Sequence, residues 1–187
     1  MAKLLDQVII IDLEATCWED GNHNRKDGQV SEIIEVGVCA VDVNNFCVMK
    51  TQSIIVKPQK SKVSDFCTKL TTLTQSDVDK GVSFKEACDI LRKEYKTDLR
   101  TWASWGDYDR TQFDRECSFK RIRPPFGRTH INIKNVFAIM NGLKREISVG
   151  EALEMKGRKF DGTPHRGMDD AVNIASLFID MLHLFDS

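Results

Sequence analysis

The stretch Gln7-Val-Ile-Ile-Ile-Asp-Leu-Glu14 decides the fold. A short, continuous, β-branched apolar run suits a strand buried on both faces. Side chains two apart on a strand share a face, so Asp12 and Glu14 project together while Leu13 projects opposite. Both acids stand at the C-terminal end of the strand, where open α/β sheets place their ligand sites. In a chain with 28 acidic residues, Asp-x-Glu spacing also arises by chance, so the weight rests on position. A charged pair at the end of a buried strand is costly unless something cationic compensates it.

Outward from this strand, residues 16–30 are polar and rich in Gly, Asn and Asp, and read as a loop. Two strands follow, Glu32 to Val43 and Phe46 to Val56, with Asn44-Asn45 expected to supply the positive φ angles of a tight turn. Three antiparallel strands therefore open the chain. Helical signals then take over. Ser83-Phe-Lys-Glu86 is a capping box, followed by Phe84, Ala87, Cys88, Leu91 and Tyr95 at helical spacing. Arg100 to Trp105 reads as a short strand, Tyr108 to Lys120 as a helix, and Arg121 to Gly127 as a proline-broken loop. Helices are expected over Ile133 to Met140, from Ser148-Val-Gly-Glu151 to near Gly157, and over Gly167 to Leu184. No repeat and no linker composition interrupts this order. The expectation is one α/β domain over residues 1–187, with a mixed sheet flanked by helices.

A chain of 187 residues buries roughly 70% of its unfolded surface, enough to fold without staples. Lys+Arg is 27 against 28 for Asp+Glu, a net charge of −1. That balance argues against a protein that coats DNA by counterion release. No apolar stretch approaches the ~18 residues of a membrane span, and the start of the chain lacks the apolar length of a signal peptide. A cytoplasmic protein is expected. The cysteines at 17, 39, 47, 67, 88 and 117 form no Cys-x-x-Cys pair, and most sit among apolar neighbours, as in Gly37-Val-Cys-Ala-Val and Phe46-Cys-Val-Met. Buried reduced thiols account for them. The main basic stretch is Lys120-Arg-Ile-Arg-Pro-Pro-Phe-Gly-Arg128. Its four cations near an aromatic suit either a nucleic-acid backbone or a solvated loop.

Two further segments carry candidate chemistry. In Ser104-Trp-Gly-Asp-Tyr-Asp109, Asp107 is placed as the helix N-cap, whereas Asp109 shares a face with Phe113 and Cys117 and points toward the sheet. In His165-Arg-Gly-Met-Asp-Asp-Ala171, Asp170 stands above Ile174, Leu177, Met181 and Leu184, at the flank of the buried side. The main buried stripe is read as Met168, Ala171, Val172, Ala175, Phe178, Ile179 and Leu182; Asp169 shares the polar one with Asn173, Ser176, Asp180 and His183. Asp169 is expected to be solvated. His165 gains weight because it sits one turn ahead of an inward acid. Two carboxylates ~4 Å apart repel by about 4 kcal/mol at an effective dielectric near 20. Several such pairs call for divalent cations, and all-oxygen ligands favour Mg²⁺ or Mn²⁺ over Zn²⁺. Two ions can clamp the attacking and leaving oxygens of a phosphodiester, with a histidine deprotonating the water.

These segments resemble the DEDDh 3′–5′ exonucleases of the RNase T and DNA polymerase III proofreading type, and above all the Eri-like exoribonucleases, the group containing the histone-mRNA 3′-exonuclease. The carrying residues are Ile11-Asp-Leu-Glu-Ala-Thr-Cys17, Glu32-Ile-Ile-Glu-Val-Gly37, Phe66-Cys-Thr-Lys-Leu-Thr-Thr-Leu-Thr-Gln75, Ser104 to Asp109, and His165 to Ala175. The resemblance implies an RNase H-like fold in which Asp12, Glu14, Asp109 and Asp170 bind two Mg²⁺ or Mn²⁺ ions and His165 is the general base. It also implies that the Ala15-Thr16 backbone and the Leu70-Thr71-Thr72-Leu73 segment, with Leu73 foremost, hold the terminal nucleotide together with Tyr108 and His165. The implied activity is hydrolysis at the 3′ end of single-stranded RNA with release of nucleoside 5′-monophosphates. The same chemistry on DNA or short oligonucleotides is the alternative. A non-catalytic RNA-binding scaffold conflicts with the presence of all four acids and the histidine. A zinc hydrolase lacks a histidine pair at ligand spacing.

Overall fold

The computed structural model describes residues 4–21 and 28–184. Of the loop expected over residues 16–30, residues 22–27 lie outside the described part. Five strands, β1 (Leu4–Ala15), β2 (Ile33–Asp42), β3 (Cys47–Ile55), β4 (Arg100–Ser104) and β5 (His130–Asn132), form one sheet in the order β3-β2-β1-β4-β5. β1, β2 and β3 pair antiparallel, and β4 and β5 run parallel to β1. Seven helices, α1 (Asp65–Thr71), α2 (Gln75–Val78), α3 (Phe84–Tyr95), α4 (Tyr108–Lys120), α5 (Ile133–Met140), α6 (Val149–Met155) and α7 (Gly167–His183), complete the described fold. The mixed, helix-flanked sheet is the one the sequence predicts. No described helix is long and apolar enough to cross a membrane.

β1 lies at the centre because its residues serve two cores. Ile9, Ile11 and Leu13 join α3 and α4 on one face; Val8 and Ile10 join α5, α6 and α7 on the other. Ile9, Ile10 and Ile11 are all fully buried. Each side chain removed from water in this way stabilises the fold by roughly 1.5–3 kcal/mol before entropy is counted. The capping box expected at Ser83 forms, another forms at Ser148 where a helix start is expected, and the five apolar positions of α3 are all buried.

Five expectations need correction. At the β2–β3 turn the left-handed residue is Phe46, while the Asp42 carboxylate accepts the N–H groups of Asn44 and Asn45, which supplants a tight Asn-Asn turn. Cys47 is exposed rather than buried, because β3 is an edge strand with one outer face in water. On α7 the fully buried set includes Ile174 and Leu177, so the row beneath Asp170 belongs to the centre of the packed face and not its flank. Asn173 is not on a solvated stripe, being 3% exposed; Asp169 is half-buried and accepts the N–H of Thr163 at 2.8 Å at the surface. Lys120 is withdrawn from the basic stretch, being ion-paired with Glu32 at 2.9 Å and Glu116 at 3.2 Å with only 6% of its side chain exposed.

Candidate active site

The C-terminal half of β1 outlasts its parallel neighbour. Its pairing with β4 ends at Ile10, opposite Ala103, and the antiparallel register with β2 shifts between Glu14 and Ala15. Backbone groups freed there must find other partners. The N–H of Leu13 finds the Asp109 carboxylate at 3.0 Å. Asp109 sits in the first turn of α4, held inward by Phe113 and Cys117 as the spacing predicts. Asp107 does occupy the N-cap position, yet it makes no capping hydrogen bond. Its carboxylate turns instead to Asn132, at 2.9 Å, and His130, at 3.9 Å.

Asp170 arrives from the opposite layer. Gly37 on β2 lies directly against Gly167 at the start of α7, where a Cβ would overlap the Gly167 carbonyl. Without a side chain at Gly37, the helix N-terminus rests on the backbone beside Asp12, whose register partner is Gly37. The result is a cluster in which one carboxylate oxygen each from Asp12, Glu14 and Asp170 lies within 4.8 Å of the others. Asp109 is outside that trio but lines the same cavity, of about 600 Å³, as do Ala15, Tyr108 and His165. His165 is exposed and left-handed, with φ 61°, immediately before α7.

Two of the residues expected to contact a nucleotide are otherwise engaged. Thr16 is fully buried, its N–H donating to Glu32 and its hydroxyl to Val30. Leu73 is buried in a small core with Ile34, Cys67 and Val78. From the same segment it is Leu70, 36% exposed, that reaches the cavity. Trp105, Phe160, Lys134 and Cys17 also line it and were not singled out from the sequence.

Electrostatically the site is frustrated. Burial, then the Asp170 and Glu35 charges, push Glu14 up to about 9. Burial raises Asp109 to about 7 against the N–H bonds that hold it down. Asp170 rises to about 6 by burial, opposed by the N–H groups of His165 and Arg166. Asp12 is held well above the carboxylate range by burial and by Asp109 and Asp170. Buried Asp170 Oδ2 has no hydrogen-bond partner among the described residues. An orphaned acceptor amid converging carboxylates fits hard divalent cations with oxygen ligands.

Glu35 is the residue that sequence reasoning passed over. Its side chain is fully buried, directly opposite Glu14 in the β1–β2 register. It accepts from Ser53 Oγ at 2.5 Å, Gly167 N at 3.1 Å and Arg166 Nε at 3.2 Å. Arg166 in turn reaches Thr72 Oγ1 at 3.4 Å. The pair thus ties β2 to the start of α7 and to the segment after α1. A lone acid inside the apolar run Ile33-Ile-Glu-Val36 is the signal that could have found it. Glu35→Gln keeps an acceptor for Gly167 but uncouples Arg166, and is expected to cost about 1–3 kcal/mol. Thermal unfolding of Glu35→Gln, Arg166→Met and the double variant checks this. The double variant should be less destabilised than the sum of the singles, because removing both partners leaves no uncompensated charge.

The RNase T exonuclease family model matches residues 9–178 of the chain. Human 3′-5′ exoribonuclease 1 is 34% identical over 190 residues, covering 95% of this chain and 52% of that protein. The chain therefore spans about half the length of this curated relative. Among solved structures, the nuclease domain of 3′hExo, described as a DEDDh family member bound to rAMP, superposes with a TM-score of 0.87 at 29% identity, covering 98% of this chain and 94% of that one. A structure of 3′-end recognition of the histone mRNA stem-loop by 3′-exonuclease gives 0.84 at 29% identity, covering 95% and 82%.

Proposed function

Because the chain belongs to the RNase T exonuclease family, with Eri-type 3′–5′ exoribonucleases among its relatives, we propose that it removes nucleotides one at a time from the 3′ end of single-stranded RNA. The observation that carries this reading is the convergence of Asp12, Glu14 and Asp170 within 4.8 Å in a cavity that Asp109 and His165 also line. In this reading the four acids hold two divalent ions, Mg²⁺ or Mn²⁺. When bound, these ions neutralise the carboxylates and the charge developing on the phosphodiester. His165, exposed where it lines the cavity, accepts a proton from the attacking water. Water oxygen bonds to phosphorus as the bond to the upstream O3′ breaks; the freed O3′ takes a proton from solvent water, and a nucleoside 5′-monophosphate leaves. The shortened strand keeps a 3′-hydroxyl for the next cycle. Ala15, Leu70 and Tyr108 wall the terminal nucleotide, while Thr16 and Leu73 support that wall from behind. Residues 1–187 act as a single exonuclease domain. A reducing, cytoplasmic setting is supported by the cysteines, four of which, Cys39, Cys67, Cys88 and Cys117, are buried.

The test is a time course in Mg²⁺ with 5′-labelled linear RNA, the matching DNA, and a circular RNA. A ladder on linear RNA with 5′-monophosphate products, slower loss of DNA, and an intact circle are expected. Cuts in the circle would sink the reading, and faster loss of DNA than of RNA would shift the substrate class to DNA.

A further inference from the structure

Beside the acid cavity lies a second one, of about 300 Å³, between the outer flank of α4 and the loop that follows it. Its lining includes Arg110, Asp114, Trp102, Phe126 and Arg128. Successive helix residues point about 100° apart. Asp109 therefore faces the acids while Arg110, the next residue, faces this second cavity. The two cavities open on adjacent sides of the same helical turn.

The loop is held in place. Phe126 stacks on Trp102 with ring centroids 4.1 Å apart and planes 15° apart. Trp102 Nε1 donates to Gly127 O at 3.3 Å, and Thr97 Oγ1 to Pro125 O at 2.6 Å. Three of the four cations of the basic stretch sort themselves on this scaffold. Lys120 is consumed by Glu32 and Glu116, and Arg123 leans on Asp98 at 3.9 Å. Arg128 is exposed at the cavity and is joined there by Arg110, from outside the stretch. Neither closes an ion pair among the described residues, although Asp114 shares the wall. The nearby Asp107 is turned to Asn132 and His130. Two guanidinium groups that close no ion pair, set on a fixed frame against the single Asp114 carboxylate, suit a polyanion, since each can take a phosphate oxygen through paired N–H donors.

We propose that this cavity binds the sugar-phosphate backbone of the RNA strand upstream of the nucleotide being removed, with Arg110 and Arg128 on its phosphates. The inference rests on the RNA-end reading above and adds a site to it. Its consequence is length dependence: a strand long enough to reach the cavity is held by two more cations than a dinucleotide is.

The experiment compares wild type with Arg110→Gln/Arg128→Gln on a 12-nucleotide RNA and on a dinucleotide, in Mg²⁺. KM for the 12-mer is expected to rise about tenfold, two phosphate contacts being lost. Its kcat, and all turnover of the dinucleotide, should stay unchanged. The salt dependence of 12-mer binding, read by fluorescence anisotropy, should flatten by a slope of about 1.4, or 0.7 per cation on a single strand. Arg123→Gln, already leaning on Asp98, serves as the control and should change neither. An unchanged KM and salt slope would overturn the inference, as would equal losses on both substrates. If wild type cleaves neither RNA, it is the proposed function that fails, and the anisotropy comparison alone decides on the subsite.

Discussion

Replacing Asp170 by asparagine is expected to lower kcat by at least about a thousandfold, the scale of losing a group from a catalytic unit. Asp169→Asn is expected to keep most of the activity. Only one of two successive helix residues can face the acids from β1, and the packing of α7 decides which. Asp170 stands over Ile174 and Leu177, both fully buried, and its Oδ2 is the orphaned acceptor of the site. A neutral amide at that position keeps the shape but loses the charge that attracts a cation. The Asp169 carboxylate faces the other way, taking the N–H of Thr163, a bond an asparagine oxygen can also accept. That change should cost no more than about 1 kcal/mol. Single-turnover kinetics with thermal unfolding of each variant separates the two. The reverse ranking would overturn the register of α7 and the metal-ligand assignment together.

What the sequence discloses of this site follows from the range of each interaction. Asp12 and Glu14 are legible because period 2 fixes their direction on a strand whose burial is written in Ile9, Ile10 and Ile11. Asp109 and Asp170 are legible because period 3.6 stacks each on apolar residues of its own helix. Glu35 is not, since its partners Arg166 and Gly167 lie about 130 residues away in the chain. The close approach that seats α7 depends on two glycines, Gly37 and Gly167, whose pairing no local pattern encodes. Placing Thr16 and Leu73 at the nucleotide rests on a resemblance of segments, which does not say which atoms are already engaged. The hydroxyl and N–H of Thr16 close the mouth of the β1–β2 connection, and Leu73 fills a core of its own. For the basic stretch the limit is similar. Charge is additive in composition, but Lys120 disappears into Glu32 and Glu116 because α4 turns it inward.

The same acids set the second large effect, on metal removal. Glu14, Asp109 and Asp170 titrate near 9, 7 and 6 in the folded protein, against roughly 4 in an unfolded chain. Between those limits the folded protein holds protons that the unfolded chain has released. The raised values therefore work against folding as pH rises: the stability present near pH 4 is lost progressively toward pH 9. Acids shifted the other way, such as Asp89 and Glu151 at about 2, lose their contribution only below pH 4, so the two windows do not overlap. In EDTA the melting temperature is expected to fall steadily between pH 5 and pH 9. Divalent ions bind the ionised carboxylates and should flatten that fall, adding about 2.7 kcal/mol at a hundredfold excess over Kd. For a chain of this size that is an increase in melting temperature of roughly 5–10 °C. Nuclease activity should vanish in EDTA and return with Mg²⁺ or Mn²⁺. The decisive comparison is Glu14→Gln, which removes the most strongly shifted of the three carboxylates. It should raise the melting temperature of the metal-free protein at pH 8 while abolishing activity. A Glu14→Gln protein less stable than wild type in EDTA at pH 8 would mean that the carboxylates are not in conflict, and the case for bound cations would lose its electrostatic basis.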